Sequence, residues 1–323
     1  MASKTEGKNN LIAVTDFFFS FCGEKKPGSG EDSFVYSLNE SRALIGVFDG
    51  CGGSGASQYA GLQNKTGAYL ASRAASAAYR DWFESLDPGR EADPGEIKER
   101  IVAYLRLCEA KGETGGGSKL MGRMSKTLPT TAAVALCRPA RGGIADVQLH
   151  WAGDSRVYLL DGEGLAQLTE DDLGGIDAMR NLTEDGVLTN AINLSRDFRI
   201  HSARITVGRP GLLFAASDGC FGYLSTPMEF EYLLMSTLQS AAGASAWEAA
   251  LCEELGKIAG DDYTICGLAL GFGSFDNLKR QLAGRTGELY RNYIRGLESC
   301  TKEEKQQLWE HYKPHYLRYL CRP

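Results

Sequence analysis

Residues 130–169 read TTAAVALCRPARGGIADVQLHWAGDSRVYLLDGEGLAQLT. Thr130–Cys137 and Ile144–Ala152 are apolar runs of strand length, and the Pro139-Ala140-Arg141-Gly142-Gly143 between them is a turn composition. Arg156–Leu160 and Leu165–Thr169 repeat the pattern around Asp161-Gly162-Glu163-Gly164, a hairpin signal. Upstream, Leu11–Phe21, with Phe17, Phe18, Phe19 and Phe21, predicts a strand, and Ala43–Phe48 is a short apolar run. An alanine-rich helix is expected from about Ser57 to Ser85, stopped by Asp87-Pro88-Gly89. A second helix opens on Asp93 as N-cap, with Pro94 in its first turn and Glu96 completing a capping box. Its apolar stripe is Ile97, Ile101, Leu105 and Cys108. Downstream, Ile200–Val207, Leu212–Ala216 and Tyr263–Leu270 read as strands, and Pro227–Leu238 and Ser245–Ile258 as helices. Helices come in runs and strands in hairpins, which predicts an α+β layered domain rather than an alternating parallel sheet.

The chain has 323 residues, 43% hydrophobic and 24% charged, an ordinary globular composition with enough length for a sizeable core. No apolar run approaches the ~18 residues of a membrane span. A net charge of −6 argues against nucleic-acid binding, which needs a basic surface. Four histidines, at 150, 201, 311 and 315, argue against a histidine-rich metal site. The nine cysteines are odd in number and form no C-x-x-C pair, so a disulfide framework or zinc ribbon is a poor fit. Met1–Glu6 carries no apolar leader segment, and with reduced cysteines the expectation is a cytoplasmic protein. Gly112–Lys119 resembles a phosphate loop, but Ser118 stands where lysine must follow Gly117, so it reads as a connector. Residues 276–323 look helical again and carry a net charge of +4, against −10 for the preceding 275. They read as a helical pair packed on the domain, or as a segment that docks a regulator.

One pattern recurs along the chain. A short apolar strand begins or ends beside an acid next to glycine or serine: Glu31-Asp32-Ser33, Asp49-Gly50, Gly153-Asp154-Ser155, Ser217-Asp218-Gly219 and Gly260-Asp261-Asp262. Each alone reads as a turn. Together, if strands of one sheet layer bring them to a common edge, they crowd negative charge that needs cations, because like charges raise each other's pKa. Oxygen ligands with few histidines suit Mg²⁺ or Mn²⁺. A pair of such ions lowers the pKa of a bridging water and stabilises in-line displacement at phosphorus, so the chemistry points to phosphoester hydrolysis.

The ordered set E-D-S (31–33), D-G-C-G-G (49–53), T-T-A-A-V (130–134), G-D-S-R (153–156), S-D-G (217–219) and D-D-Y-T-I (261–265) resembles the metal-dependent protein phosphatase (PPM) family, the type 2C serine/threonine phosphatases. The resemblance spans about residues 11–271, which it implies to be the catalytic domain, with 276–323 as a C-terminal helical extension. It implies a four-layer α-β-β-α sandwich of two mainly antiparallel sheets flanked by helix pairs. It also implies hydrolysis of phosphoserine and phosphothreonine in proteins by a water or hydroxide activated between two Mn²⁺ or Mg²⁺ ions. By that resemblance Asp49 bridges the two metals and the Gly50 carbonyl ligates one. Asp218 and Asp261 complete one metal's ligands, Glu31 serves the other directly or through water, Asp32 orients a metal-bound water, and Asp154 helps hold a third, weaker ion. Residues 170–200 fall where the family carries its variable flap beside the active site.

Two positions depart from the family pattern. Cys51 replaces the histidine that is thought to act there as general acid, and a thiol, with a reference pKa of ~8.5 against ~6.5, is the poorer acid near neutral pH. Pro27 occupies the place of the phosphate-binding arginine, leaving Lys25 or Lys26 to serve as a point charge that cannot clamp phosphate bidentately. These departures keep two other readings open: a pseudophosphatase that binds phosphoproteins or regulates without turnover, and a hydrolase of small phosphoesters. A cysteine-nucleophile phosphatase needs arginine six residues after the cysteine, where Ser57 follows Cys51. No G-x-S-x-G elbow supports a serine hydrolase.

Overall fold

The computed structural model describes residues 11–87, 93–113, 127–140, 143–174, 179 and 186–320. The strands are β1 (Thr15–Gly23), β2 (Ser33–Asn39), β3 (Arg42–Phe48), the two-residue β4 (Gln58–Tyr59) and β5 (Lys65–Thr66), β6 (Ala132–Pro139), β7 (Ala145–Ala152), β8 (Arg156–Asp161), β9 (Gly164–Gln167), β10 (His201–Val207), β11 (Gly211–Ala216) and β12 (Tyr263–Leu270). The helices are α1 (Leu11–Val14), α2 (Gly52–Gly55), α3 (Gly67–Ser85), α4 (Pro94–Glu113), α5 (Pro227–Ser240), α6 (Ala244–Ile258), α7 (Phe275–Leu289) and α8 (Lys302–Tyr316).

Two five-stranded sheets form, in the orders β1-β12-β11-β8-β9 and β10-β7-β6-β3-β2, and their paired strands are antiparallel. Alternation of side chains across each pleat sorts the apolar residues into three layers. Ile45, Val47, Ala133, Leu149, Leu159, Leu213 and Leu268 fill the space between the sheets. Leu44, Phe48, Val134 and Leu136 face Tyr79, Trp82, Ile97, Ile101 and Leu105 of α3 and α4. Tyr158, Phe214 and Ile265 face α5 and α6 through Phe230, Leu234, Trp247 and Leu251. This is the α-β-β-α sandwich expected, with the C-terminal helices added beyond it. Asp93 accepts a hydrogen bond from the Gly95 amide (2.9 Å) at the start of α4, as an N-cap should.

Two elements differ from the sequence expectation. Leu11–Val14 is a helical turn, tied by the Leu11 amide to the Glu40 carbonyl (3.2 Å), and the strand begins only at Thr15. The helix expected from Ser57 starts at Gly67. Gln63 and Asn64 adopt left-handed φ values of 58° and 56°, which closes the β4–β5 hairpin and forbids helix there. Thr66, whose hydroxyl accepts from the Tyr69 amide (3.1 Å), is the cap that sets the true start. The Pro88-Gly89 breaker and Gly115–Gly117 of the connector lie outside the described residues. The described cysteines form no disulfide, and among the described residues no helix is long and apolar enough to cross a membrane.

The basic C-terminal segment turns an aromatic face inward. Leu278, Leu282 and Leu289 of α7 and Trp309, Tyr312 and Tyr316 of α8 belong to the same cluster as Tyr158 and Phe230. A capping box of Thr301 with Glu304 starts α8. Arg285 of α7 pairs with Glu231 of α5 (2.8 Å), both buried, and the Tyr312 hydroxyl donates to the same carboxylate.

Candidate metal centre

The acidic motifs meet at one end of the sandwich. In one sheet Ser33 pairs with Phe48, Val47 with Ala133 and Ala132 with Ala152. In the other, Ala216 pairs with both Arg156 and Ile265. Glu31-Asp32 therefore enters β2 where Asp49 leaves β3, and Asp218 leaves β11 where Asp261-Asp262 enters β12. Asp154 lies in the turn that carries the chain from one sheet to the other. The expectation of a common edge within one sheet layer is thus corrected: both sheets contribute, because a turn from β7 to β8 aligns their ends.

The Asp49 and Asp218 side chains come within interaction range of each other, an arrangement that favours a shared proton or an intervening cation. Burial raises the Asp49 carboxyl well above the usual carboxylate range, and the charges of Asp32, Asp218, Cys51 and Asp154 add to it. Asp218 is raised by burial and then by Asp261. Asp32 is pushed up to about 7 by burial, with Asp218 and Asp262 adding to the rise and hydrogen bonds from Ser217 and Thr264 opposing it. Asp154 is pushed up to about 8 by burial, then by Asp218 and Asp171. Glu31 is raised by burial, with Asp262 and Asp261 next. Each named acid thus lies within electrostatic reach of another, and a site that does this to carboxylates is a functional candidate.

Several of these oxygens are occupied by protein donors. The Thr66 hydroxyl donates to Glu31, Ser217 Oγ donates to Asp32 (2.7 Å), and the Asp262 amide donates to Asp261 (2.8 Å). Among the described residues no three His, Cys, Asp or Glu side chains stand close enough together to ligate one ion in these positions. The chemistry of the donor set nonetheless fits hard cations: oxygen donors, mutually repelling, around a carboxyl pair that is incompatible with two bare charges. Two glycines let the backbone crowd this closely. A Cβ on Gly50 would fall 2.7 Å from the Ala68 carbonyl oxygen and 2.8 Å from that of Glu31, and one on Gly219 would fall 1.9 Å from that of Asp262.

Cys51 begins the α2 turn beside Asp49, its amide bonded to the Pro129 carbonyl (3.2 Å). Burial, then Asp154 and Asp218, pushes its thiol up to about 12, so it keeps its proton. Lys26 is exposed, in a turn closed by the Ser29 amide on its carbonyl (3.0 Å). The Lys25 ammonium is taken by the Ala259 carbonyl (2.7 Å).

Some supporting residues escape a linear reading. Asp262 accepts from the Glu31 amide (2.7 Å) and the Lys25 amide (2.8 Å), clamping the β1–β2 loop to β12. Arg73 of α3 donates to the Glu31 and Gly30 carbonyls (3.1 and 3.2 Å) and stacks on Tyr69. Asp172 accepts from the Gly153 amide (2.9 Å), from Asn190 (2.7 Å) and bonds His201 (2.9 Å), tying residues 170–200 to the Asp154 turn. Ile192 bridges to Thr130, which bridges to Gly50. The signal available was the doubled acids, Asp171-Asp172 and Asp261-Asp262, in which one or both members hold backbone amides or arginine in place. A cavity of about 210 Å³ opens here between Trp151, Asp171, Asp172, Thr189 and His201.

No protein-family model matches the sequence, and no curated protein matches it either. The fold, by contrast, matches solved structures. A bacterial serine phosphatase superposes with a TM-score of 0.58 at 17% identity, covering 79% of this chain and 96% of its own. Stp1, a serine/threonine phosphatase of Staphylococcus aureus, gives 0.55 at 17%, covering 79% and 96%. The PPM Ser-Thr phosphatase MsPP of Mycobacterium smegmatis, solved with cacodylate, gives 0.53 at 15%, covering 80% and 100%. At such identities the likeness is one of fold, and the fold is that of the PPM-type phosphatases.

Proposed function

We propose that the chain is a metal-dependent protein serine/threonine phosphatase of PPM type, acting on phosphoserine and phosphothreonine in phosphoproteins. The observation that carries this is the meeting of Asp49 and Asp218, from opposite sheets, within a group of buried acids at one end of the sandwich. In this reading Asp49, the Gly50 carbonyl, Asp218, Asp261 and Glu31 hold two Mn²⁺ or Mg²⁺ ions, and Asp154 contributes to a third, weaker one. The ions supply Lewis-acid charge to the phosphoryl oxygens and acidify the attacking water. Asp32, held by Ser217, would orient that water. Asp262 and Arg73 fix the loop that presents Glu31. Residues 11–271 form the catalytic unit and 276–323 its helical extension.

Cys51 favours a weakened variant of this chemistry. A thiol lifted to about 12 is a weak donor to a serine or threonine leaving oxygen, so good leaving groups are preferred. Mn²⁺-dependent hydrolysis of a phosphothreonine peptide and of p-nitrophenyl phosphate, by wild type and Asp218→Asn, separates the readings. Hydrolysis of both, lost in the variant, supports a protein phosphatase. Turnover of the small ester alone points to a phosphoesterase of small molecules, and no turnover by the wild type points to a regulatory pseudophosphatase.

A further inference from the structure

The motif Gly153-Asp154-Ser155-Arg156 ends in a guanidinium only 1% exposed. Its Nε and Nη2 fork onto Asp171 at 2.7–3.1 Å. Its Nη1 donates to the hydroxyls of Tyr158 (3.2 Å) and Tyr316 (3.3 Å), and Tyr316 in turn donates to Tyr158 (3.2 Å). Phe221 covers the guanidinium face at 4.1 Å, and the Phe221 amide closes the turn that begins with Asp218 (3.0 Å). One buried side chain therefore touches the Asp154 turn, the Asp218 turn, the start of the 170–200 segment and the last turn of α8.

We propose that α8 is a working part of the metal centre, with Tyr316 as a positioning residue that fixes the Arg156 fork and, through it, the turns that carry Asp154 and Asp218. The inference rests on the metal-phosphatase reading above. An aromatic lid over the core needs rings alone; it does not need a hydroxyl seated on the guanidinium of the G-D-S-R motif. Arginine fits because its planar fork can serve Asp171 on one edge and two hydroxyls on another, which lysine cannot. Tyr312, one turn earlier on α8, supplies an internal comparison. It is equally buried, and its hydroxyl goes to Glu231 in the pair with Arg285 instead.

The test is Mn²⁺ binding to the full-length chain, read from the electron paramagnetic resonance of free Mn²⁺, alongside thermal unfolding without metal. Arg156→Lys should weaken Mn²⁺ binding by ~10-fold or more, in the range known for groups behind metal ligands, and Tyr316→Phe, one step further out, by about 3- to 10-fold. Tyr312→Phe should lower the unfolding temperature while leaving Mn²⁺ affinity within about 2-fold of wild type, since it stands behind no proposed ligand. Tyr316→Phe added to Arg156→Lys should weaken binding no further, because both act through one fork. Equal Mn²⁺ affinity in Tyr316→Phe and Tyr312→Phe would overturn the proposal, as would additive losses in the double variant. A wild-type chain that binds no Mn²⁺ would overturn the metal reading itself, and this inference with it.

Discussion

Two buried clusters of charge, one among the helices over a sheet and one at the end of the sandwich, obey opposite rules. Under α5, α7 and α8, Glu231 meets Arg285 and Tyr312, and every partner is complementary. At the end of the sandwich, Asp49 meets Asp218, with Asp32 and Asp154 close by, and burial and like charge push these carboxyls up. Buried charge is retained in proteins when it is paired, so a closed pair speaks for structure and an open group of like charges speaks for a missing counter-charge.

The contrast can be broken by mutation. Glu231→Gln takes from the buried Arg285 its close carboxylate partner, leaving only the exposed Glu288 at 3.5 Å, and should cost ~3–5 kcal/mol of stability, measured by chemical denaturation, with the Mn²⁺ dependence of the folded fraction unchanged. Asp218→Asn removes repulsion and should stabilise the metal-free chain by ~0.5–2 kcal/mol at pH 8 while abolishing metal-dependent turnover. A destabilised Asp218→Asn chain would place Asp218 with the structural pairs.

Titration sharpens the same point. Asp32 and Asp154 rise from 3.8 to about 7 and about 8 on folding. In this range the folded state binds more protons than the unfolded one, so stability falls as pH rises. The metal-free unfolding temperature should therefore drop between about pH 4 and pH 8, and Mn²⁺ should restore it at the alkaline end by binding the ionised form. A metal-free chain whose stability climbs from pH 5 to 8 would contradict the open-cluster account. The smallest effect expected is at Cys51. Cys51→His, with a proton donor nearer neutral pH, should raise turnover on a phosphothreonine peptide severalfold, below the ~100-fold of a fully placed general acid, and should change p-nitrophenyl phosphate turnover less.

Much of the architecture was legible in the sequence. β12 spans Tyr263–Leu270 as its apolar run does, and the Ile97, Ile101, Leu105 stripe of α4 is fully buried. Ser57–Thr66 reads as the start of the alanine-rich helix that follows it, whereas left-handed Gln63 and Asn64 and the Thr66 cap set that start at Gly67. The acids could be picked out by their places at strand ends. Their convergence from two sheets could not, because register across a sandwich is a property of both sheets together. The Arg156–Tyr316 contact spans 160 positions and leaves no local trace. Asp262, though adjacent to Asp261, shows its clamping role only once the amides of Glu31 and Lys25 are in place beside it.

The most direct measurement is anomalous scattering from crystals soaked in Mn²⁺. The account predicts paired peaks between the carboxylates of Asp49 and Asp218, ~3.5–4 Å apart as in two-metal hydrolases, with Asp261 and Glu31 turned toward them. No peak there at saturating Mn²⁺ would contradict it.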